Sequence, residues 1–251
     1  MSVAEATRQS LTASARRITS EDTKGRNPAT LASALSTAPW QDEAWSLYDV
    51  IGELRFSSNT LAGRMGQAKL FVGKHTDDSE EPVPVEDGAL SNLLYSLGKG
   101  SAGLSQLIFR AANNLFVGGE FWLVGIPPRM FPGTPEFEAE KGRDRETDFW
   151  GVREEHSEED LLELIWRVFS VDEFSVDQSG EVTARLETGE TIKAHVDDVY
   201  SMRIWRPHPR KAWEPDSPTR ASLLVLREVL GLGMMVSAQL DSRLAGAGLL
   251  S

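Results

Sequence analysis

The chain has 251 residues and no cysteine. That excludes disulfides, cysteine-ligated zinc and thiol catalysis, and it fits a reducing compartment. Histidine is scarce as well. His75, His156, His195 and His208 are scattered, and no two stand four apart on a helix, the spacing a helical zinc pair requires. No apolar run reaches the ~18 residues that a membrane span needs. The N-terminus lacks the apolar core of a secretion signal. The sequence therefore predicts neither an anchor nor secretion. Residues 1–38 hold no aromatic side chain and are rich in Ala, Ser and Thr, with five bases against three acids. Such a segment buries too little surface to offset its ordering entropy. It reads as a flexible N-terminal arm, with at most a short helix near Val3 to Ile18.

Positive charge is the next shortage. The 26 Lys and Arg stand against 38 Asp and Glu, a formal charge of −12. Proteins that grip a duplex neutralise phosphates with basic patches. This balance argues against a DNA-clamping protein, though not against one that lets DNA pass unheld. The acids concentrate in an insertion at about 132–160, where residues 136–160 hold eleven acids and four bases, and in Asp77-Asp-Ser-Glu-Glu81. Charge blocks of this kind read as solvated loops.

What is present is a mixed pattern of helix and strand. From Pro39-Trp40, apolar or small residues recur at Ala44, Tyr48, Ile51, Leu54, Ser58, Leu61 and Met65, which predicts one helix to Met65. Ala68 to Gly73 reads as a strand. Leu104, Leu107, Ile108, Ala111, Leu115 and Phe116 predict a helix over about 103–117, stopped by Gly118-Gly119. Glu120 to Ile126 is a strand ended by Pro127-Pro128. Ser157-Glu-Glu-Asp160 resembles a capping box before a short helix. Five strands follow at 165–170, 173–176, 182–186, 192–195 and 199–205, with a hairpin turn at Thr188-Gly189-Glu190. Last, Ser217 can cap a helix with Pro218 in its first turn, running to about Leu244. The order predicts an α+β fold, helices around a small mixed or antiparallel sheet with a long C-terminal helix. That helix is apolar nearly all round, which predicts burial on most sides, in part against another chain.

A search for chemistry finds little. Gly98-Lys99-Gly100-Ser101-Ala-Gly103 departs from a phosphate loop, because position 93 is leucine and Gly100 follows the lysine. No Gly-x-Ser-x-Gly elbow anchors a hydrolase. His195-Val-Asp197-Asp198 reads as a strand end and polar turn better than as a metal site. Glu120, alone in an apolar strand, reads as one half of a strand-edge or interface salt bridge rather than a catalytic acid. No catalytic, cofactor-binding or metal residues are expected, and no enzyme. The basic cluster Arg203, Arg206, His208, Arg210 and Lys211, interleaved with Trp205 and Trp213, is the exception. Arg and Trp compose protein–protein hot spots, and this reading is favoured over base stacking. The candidate subunit-interface residues are Arg203, Trp205, Arg206, Arg210, Trp213, Leu226, Leu230 and Met234.

Several segments resemble the portal proteins of tailed bacteriophages, most of all those of siphophages that infect actinobacteria. They are Trp40-Gln-Asp-Glu-Ala-Trp45-Ser-Leu-Tyr48 through Arg55-Phe with Asn59-Thr-Leu-Ala, Gly118-Gly119-Glu120-Phe-Trp-Leu-Val-Gly, Trp166-Arg-Val-Phe-Ser-Val-Asp-Glu-Phe174, and Arg203-Ile-Trp205-Arg-Pro-His-Pro-Arg210 through Asp216-Ser217-Pro218 to Gly248. The last is the most specific. The resemblance spans 39–251 with gaps at the acidic insertion. It implies a wing-type domain leading to the stem, with clip, channel loop and crown beyond Ser251, so that the chain is a piece of a longer one. It also implies a ring, usually of twelve copies, at a capsid vertex, through which DNA is packaged and ejected. The implied partners are the major capsid protein, the terminase, a head–tail adaptor and passing double-stranded DNA, with no membrane. The implied location is the virion, and the host cytoplasm during assembly. A different head–tail connector or minor capsid protein is the alternative, ahead of a phage-associated nucleotide-binding enzyme.

Overall fold

The computed structural model describes residues 14–18, 39–74, 82–98, 101–132, 134–140, 158–177 and 179–247. Along the chain these form β1 (Ser14–Ile18), α1 (Pro39–Val50), α2 (Gly52–Gly66), β2 (Gly73–Lys74), β3 (Val83–Pro84), α3 (Ala89–Gly98), α4 (Ser101–Val117), β4 (Glu120–Ile126), a 3-10 turn at Pro128–Met130, α5 (Pro135–Glu140), α6 (Glu158–Glu163), β5 (Ile165–Phe169), β6 (Phe174–Val176), β7 (Glu181–Arg185), β8 (Thr191–His195), β9 (Tyr200–Trp205), β10 (Pro207–His208), β11 (Lys211–Pro215) and α7 (Pro218–Ala247). The fold is α+β, and every strand pairing in it is antiparallel.

Two sheets carry the core. One has the order β1-β9-β4-β5, the other β6-β7-β8. β4 is the hub of the first, with Trp122 opposite Arg203 on β9 and Phe169 on β5. Six of its seven residues are buried. A strand apolar in continuous sequence rather than in alternation is covered on both faces. One face, through Trp122, Val124 and Ile126, meets Phe174, Val182, Ile192, Val196 and Val199 in a single apolar cluster. The Trp122 and Phe174 rings lie 4.8 Å apart. Helices α3 and α4 pack against β5 and β4. The β7–β8 hairpin turns at Gly189, whose φ of +84° suits glycine.

A second, smaller cluster joins the helices. Leu47, Ile51 and Leu54 are buried there, with Tyr48, Phe116, Leu223, Leu226 and Leu230 packed around them. Here the helix expected to run unbroken to Met65 divides. Ile51 is extended (φ −98°, ψ 105°). Its N–H still reaches Leu47 O at 2.8 Å and its carbonyl accepts from Arg55 N–H. Gly52 makes the break cheap, because glycine is a poor helix former, and the turn drives Ile51 into the cluster. The change of direction also shifts the buried face of α2. Leu54, Ser58, Ala62 and Gly66 point inward, while Leu61 and Met65 are exposed. Gly66 would put a Cβ 3.0 Å from Ser105 O, so α2 and α4 approach closely at these small residues.

Further expectations are corrected. Residues 14–18 form a strand, not part of a helix, because the free edge of β9 supplies hydrogen bonds that outweigh local propensity. The strand expected at 68–73 reduces to Gly73–Lys74, and Leu70 and Phe71 are about half exposed. Helix α3 had no counterpart in the sequence reading. The long helix α7 is not buried on most sides. Every residue from Gly231 to Ser242 is exposed. Its segment Pro218–Ser242 is, by length and composition, apolar enough to cross a membrane, with a mean hydropathy of 1.6. That overturns the expectation that no apolar run reaches the length of a membrane span, since the single Arg227-Glu228 pair does not offset the leucines, valines and methionines around it. The rest of the arm (1–13, 19–38), most of the acidic insertion (141–157), His75, His156 and residues 99–100 of the glycine-rich loop lie outside the described residues.

Candidate assembly surface

The segment singled out in the sequence lies where α7 leaves the body, and a polar network fixes that junction. Helix α4 ends at Gly118 and Gly119, whose N–H groups both donate to Asn114 O, at 2.8 and 2.9 Å. Gly119 has φ +76°, and a Cβ there would stand 2.5 Å from Asp216 O. Only glycine meets both conditions. The Ser217 hydroxyl donates to Val117 O at 2.9 Å and accepts from Arg220 N–H at 2.9 Å. Thr219 donates to Phe116 O at 2.9 Å. The start of α7 therefore satisfies carbonyls orphaned at the end of α4, while Ser217 also caps α7 itself. Backbone bonds from Arg206 N–H to Gly119 O and from Asp216 N–H to Arg206 O, both 2.9 Å, close the junction.

Beside it sits a buried charge. Glu120 is 4% exposed. Its carboxylate accepts from Gln41 Nε2 at 2.7 Å and from Arg203 Nε at 2.5 Å, while Gln41, fully buried, also donates to Gly118 O. Arg203 lies over the Trp205 ring, 5.3 Å from its centroid. A buried carboxylate persists only with such partners. The salt bridge of Glu120 forms within the chain and on the central strand β4, not at a strand edge or an interface as expected.

Two more contacts steer α7. Arg227 forks onto Glu43 of α1, Nε to Oε1 at 2.5 Å and Nη2 to Oε2 at 2.6 Å. The hydrogen bond from Arg227 holds the Glu43 carboxyl below its ordinary pKa, and Glu43 raises Arg227 in turn. Arg220 lies 5.0 Å from the centroid of Trp40 and donates to Pro215 O. Much of the helix surface is bare. Leu224, Val225, Leu232, Met234, Met235, Val236 and Leu240 are each more than half exposed. Between the α1–α2 corner (Val50, Ile51, Glu53) and α7 (Val229, Gly233, Met234, Ser237) runs an open groove of about 620 Å³.

The candidate interface residues divide into two groups. Arg203 is held by Glu120, and Trp205 donates its Nε1–H to Ala212 O at 2.8 Å. Leu226 and Leu230 pack on the α1–α2 cluster. Arg206 is half-buried and serves the junction through its backbone. Arg210, Trp213 (70% exposed) and Met234 (67% exposed) face solvent. Arg210 and Trp213 ride on the β10–β11 hairpin, which a Lys211–Glu214 ion pair at 2.7 Å braces. Sequence reasoning missed Gln41, Glu43 and Thr219. Polar residues on an amphipathic helix carry no signal of burial, and an ion pair 184 positions apart in sequence carries none either.

His195 Nδ1 lies 3.4 Å from Asp197 Oδ2 in the turn after β8. Among the described residues no group of three or more His, Asp or Glu could hold a metal. Comparison with known proteins returns nothing: no family model matches the chain, and neither a curated protein nor a solved structure is similar to it.

Proposed function

We propose that the chain is the wing-and-stem-start part of a phage portal subunit, one wedge of a ring at the capsid vertex through which DNA is packaged and ejected. One observation carries the assembly half of this reading. An anchored helix bears an apolar surface that the described residues of its own chain leave bare. Monomeric soluble proteins seldom expose contiguous apolar patches beyond a few hundred Å², and seven large apolar side chains of α7 are over half exposed. The portal half rests on the motif resemblance, on the formal charge of −12, which does not hold DNA, and on a junction that aims α7 out of a β platform. A head-to-tail ring uses two different patches per subunit. The free faces of α7, with Arg210 and Trp213 on the neighbouring hairpin, supply one of them.

Membrane insertion is the second reading, favoured by the hydropathy of Pro218–Ser242. Geometry weighs against it. The first three turns are committed to α1 and α4 by Leu223, Leu226, Arg227 and Leu230. The apolar stretch left free, from Gly231 to Leu240, is ten residues, roughly 15 Å at ~1.5 Å per residue, against a hydrocarbon core of about 30 Å.

Native mass spectrometry and negative-stain imaging of the purified chain test the proposal. Closed rings are expected, and Arg206→Glu with Arg210→Glu is expected to break them into smaller species. A monomer at all concentrations overturns the portal reading, and flotation of the chain with lipid vesicles would put the membrane reading in its place.

A further inference from the structure

Two surfaces lack partners among the described residues, and their chemistry matches. The first is the open groove of about 620 Å³ between the α1–α2 corner and α7. Val50, Leu230 and Met234 give it an apolar lining. Gly233 adds no side chain to it, and a Cβ there would meet nothing within 4 Å. Glu53 and Asp241 line it too, both exposed and neither ion-paired among the described residues. The second surface is the β10–β11 hairpin. Its Trp213 is 70% exposed, and its Arg210 is exposed with no ion-pair partner among the described residues. Residues 203–211 hold three arginines, one lysine and no acid. In its own chain the hairpin does not reach the groove. It is braced where it stands: Trp205 donates to Ala212 O at 2.8 Å, Asp216 N–H to Arg206 O at 2.9 Å, and Lys211 pairs with Glu214 at 2.7 Å. It leads into α7 at Pro218. Gly233 lies fifteen residues further along that helix, roughly 22 Å at ~1.5 Å per residue. No hairpin residue lines the groove.

We propose that the hairpin of one copy seats in the groove of the next, Trp213 against Val50, Leu230 and Met234, and Arg210 against Glu53 and Asp241. This seating rests on the head-to-tail ring proposed above, though not on that ring being a portal. Size fits the occupant. The groove falls within the roughly 300–1,000 Å³ of pockets that enclose a ligand-sized group, and an exposed indole beside an arginine is the composition of an interface hot spot. Charge favours a second copy. Chains of formal charge −12 repel one another at large, so a contact between them gains most by setting a basic patch against an acidic one. The hairpin is the basic patch of an acidic chain, and the groove offers two free carboxylates among apolar walls. The two surfaces sit at different places along α7, so the contact is heterologous and repeats from copy to copy, as a ring requires. The hairpin and the outward faces of α7 then form one patch of the subunit, and the groove forms the other.

Variants of the full chain and one cross-link test it. Gly233→Phe fills the groove without a clash inside the chain, since a Cβ there is unopposed, and it replaces a poor helix former. The fraction of rings in native mass spectra is expected to fall about ten-fold, the scale of one hot-spot side chain, with the urea midpoint not lowered. Arg210→Glu alone, and Glu53→Arg with Asp241→Arg, are each expected to do the same. The chain carrying all three reversals is expected to regain rings, because opposite charges meet again across the contact. The absence of cysteine makes the cross-link clean. One tagged chain carries Ala212→Cys and a differently tagged chain carries Ser237→Cys, both at exposed positions. A short bismaleimide is expected to join the two tags. Where a variant lowers the urea midpoint, the cross-link decides. Rings that survive Gly233→Phe or the reversals overturn the seating and leave the ring reading standing. Reversals that break rings separately and fail to restore them together overturn it as well, and so does a ring-forming mixture in which the two tags stay unjoined. A wild-type chain that is monomeric at every concentration overturns the ring and the seating together.

Discussion

β4 and α7 are both rich in large apolar side chains, yet β4 is almost wholly covered and the far half of α7 is bare among the described residues. β4 buries six of seven residues. α7 from Gly231 to Ser242 buries none. Hydropathy alone does not separate them; what separates them is how many faces the rest of the chain can reach. A strand in the middle of a sheet has its edges closed by β9 and β5 and its faces by a second sheet and the helices. A helix anchored at one end gains cover along only one stripe, here Leu223, Leu226 and Leu230, for as long as α1 and α2 run beside it. Beyond their reach it keeps its composition and loses its cover. The difference locates how far along α7 the described part of the chain supplies cover.

The comparison breaks most sharply by truncating one side chain in each region. Trp122→Ala removes a fully enclosed indole from the two-sheet cluster and should cost about 3–5 kcal/mol of stability, read as a lower urea midpoint with an unchanged slope. Met235→Ala on α7 should leave the urea midpoint within about 0.5 kcal/mol in dilute solution and instead shift native mass toward smaller species. Equal stability losses at the two positions would mean that α7 is covered within its own chain. Next in size is Arg203→Met. It leaves the Glu120 carboxylate buried with Gln41 as its remaining side-chain partner, at an expected cost of about 3–4 kcal/mol. Pairing that change with Glu120→Leu should restore most of the loss, because an apolar pair no longer buries an unmatched charge.

Much of this division was legible in the sequence, and the failures have physical causes. The strands from Glu120 to Trp205 could be read because continuous apolar runs and the Gly189 turn are local signals. The start of α7 could be read because Ser217-Pro218 is a local capping pattern, and the serine does cap it. The bend at Ile51 could not, since the residue keeps helical spacing and hydrogen bonds on both sides; only the cluster it enters explains its turn. β1 could not either, because Ser-Ala-Arg-Arg-Ile has no strand pattern of its own and takes its conformation from β9. The same cause explains the divided interface set. Arg203, Leu226 and Leu230 look in sequence like Arg210 and Met234, and only the positions of Glu120 and Ile51 in space show that the first three have partners within the chain.

The junction between the two regions gives a smaller effect. Ser217→Ala removes the cap of α7 and the donor to Val117 O at once, and about 1–2 kcal/mol is expected, with Ser217→Thr recovering part of it. The cap sits at the boundary, so the loss should appear both in unfolding midpoint and in faster hydrogen exchange of the first turn of α7. A midpoint shift without faster exchange there would show that the hydroxyl serves the end of α4 and not the start of α7.

The smallest expected effect is the pH dependence of the Glu43–Arg227 pair, which ties α7 to α1. Arg227 holds the Glu43 carboxyl below its ordinary value of 4.5. In the unfolded chain that carboxyl takes up its proton at the ordinary value, so between the two values the unfolded state binds more protons and stability falls with acid. The contribution is complete above pH 4.5 and disappears as pH drops through the lower, folded value. Asp177, held down by the Ser179 hydroxyl, and Glu214, held down by Lys211, act in the same direction, so the whole acid limb does not vanish in Glu43→Gln; its slope flattens. The pair is exposed and added salt should weaken it. A helix anchored mainly by its leucine stripe predicts that Glu43→Gln leaves ring formation at pH 7 unchanged. Loss of rings in that variant would mean that the orientation of α7 depends on this ion pair more than on Leu223, Leu226 and Leu230, and the line between the covered and the bare half of the helix would have to be redrawn at Arg227.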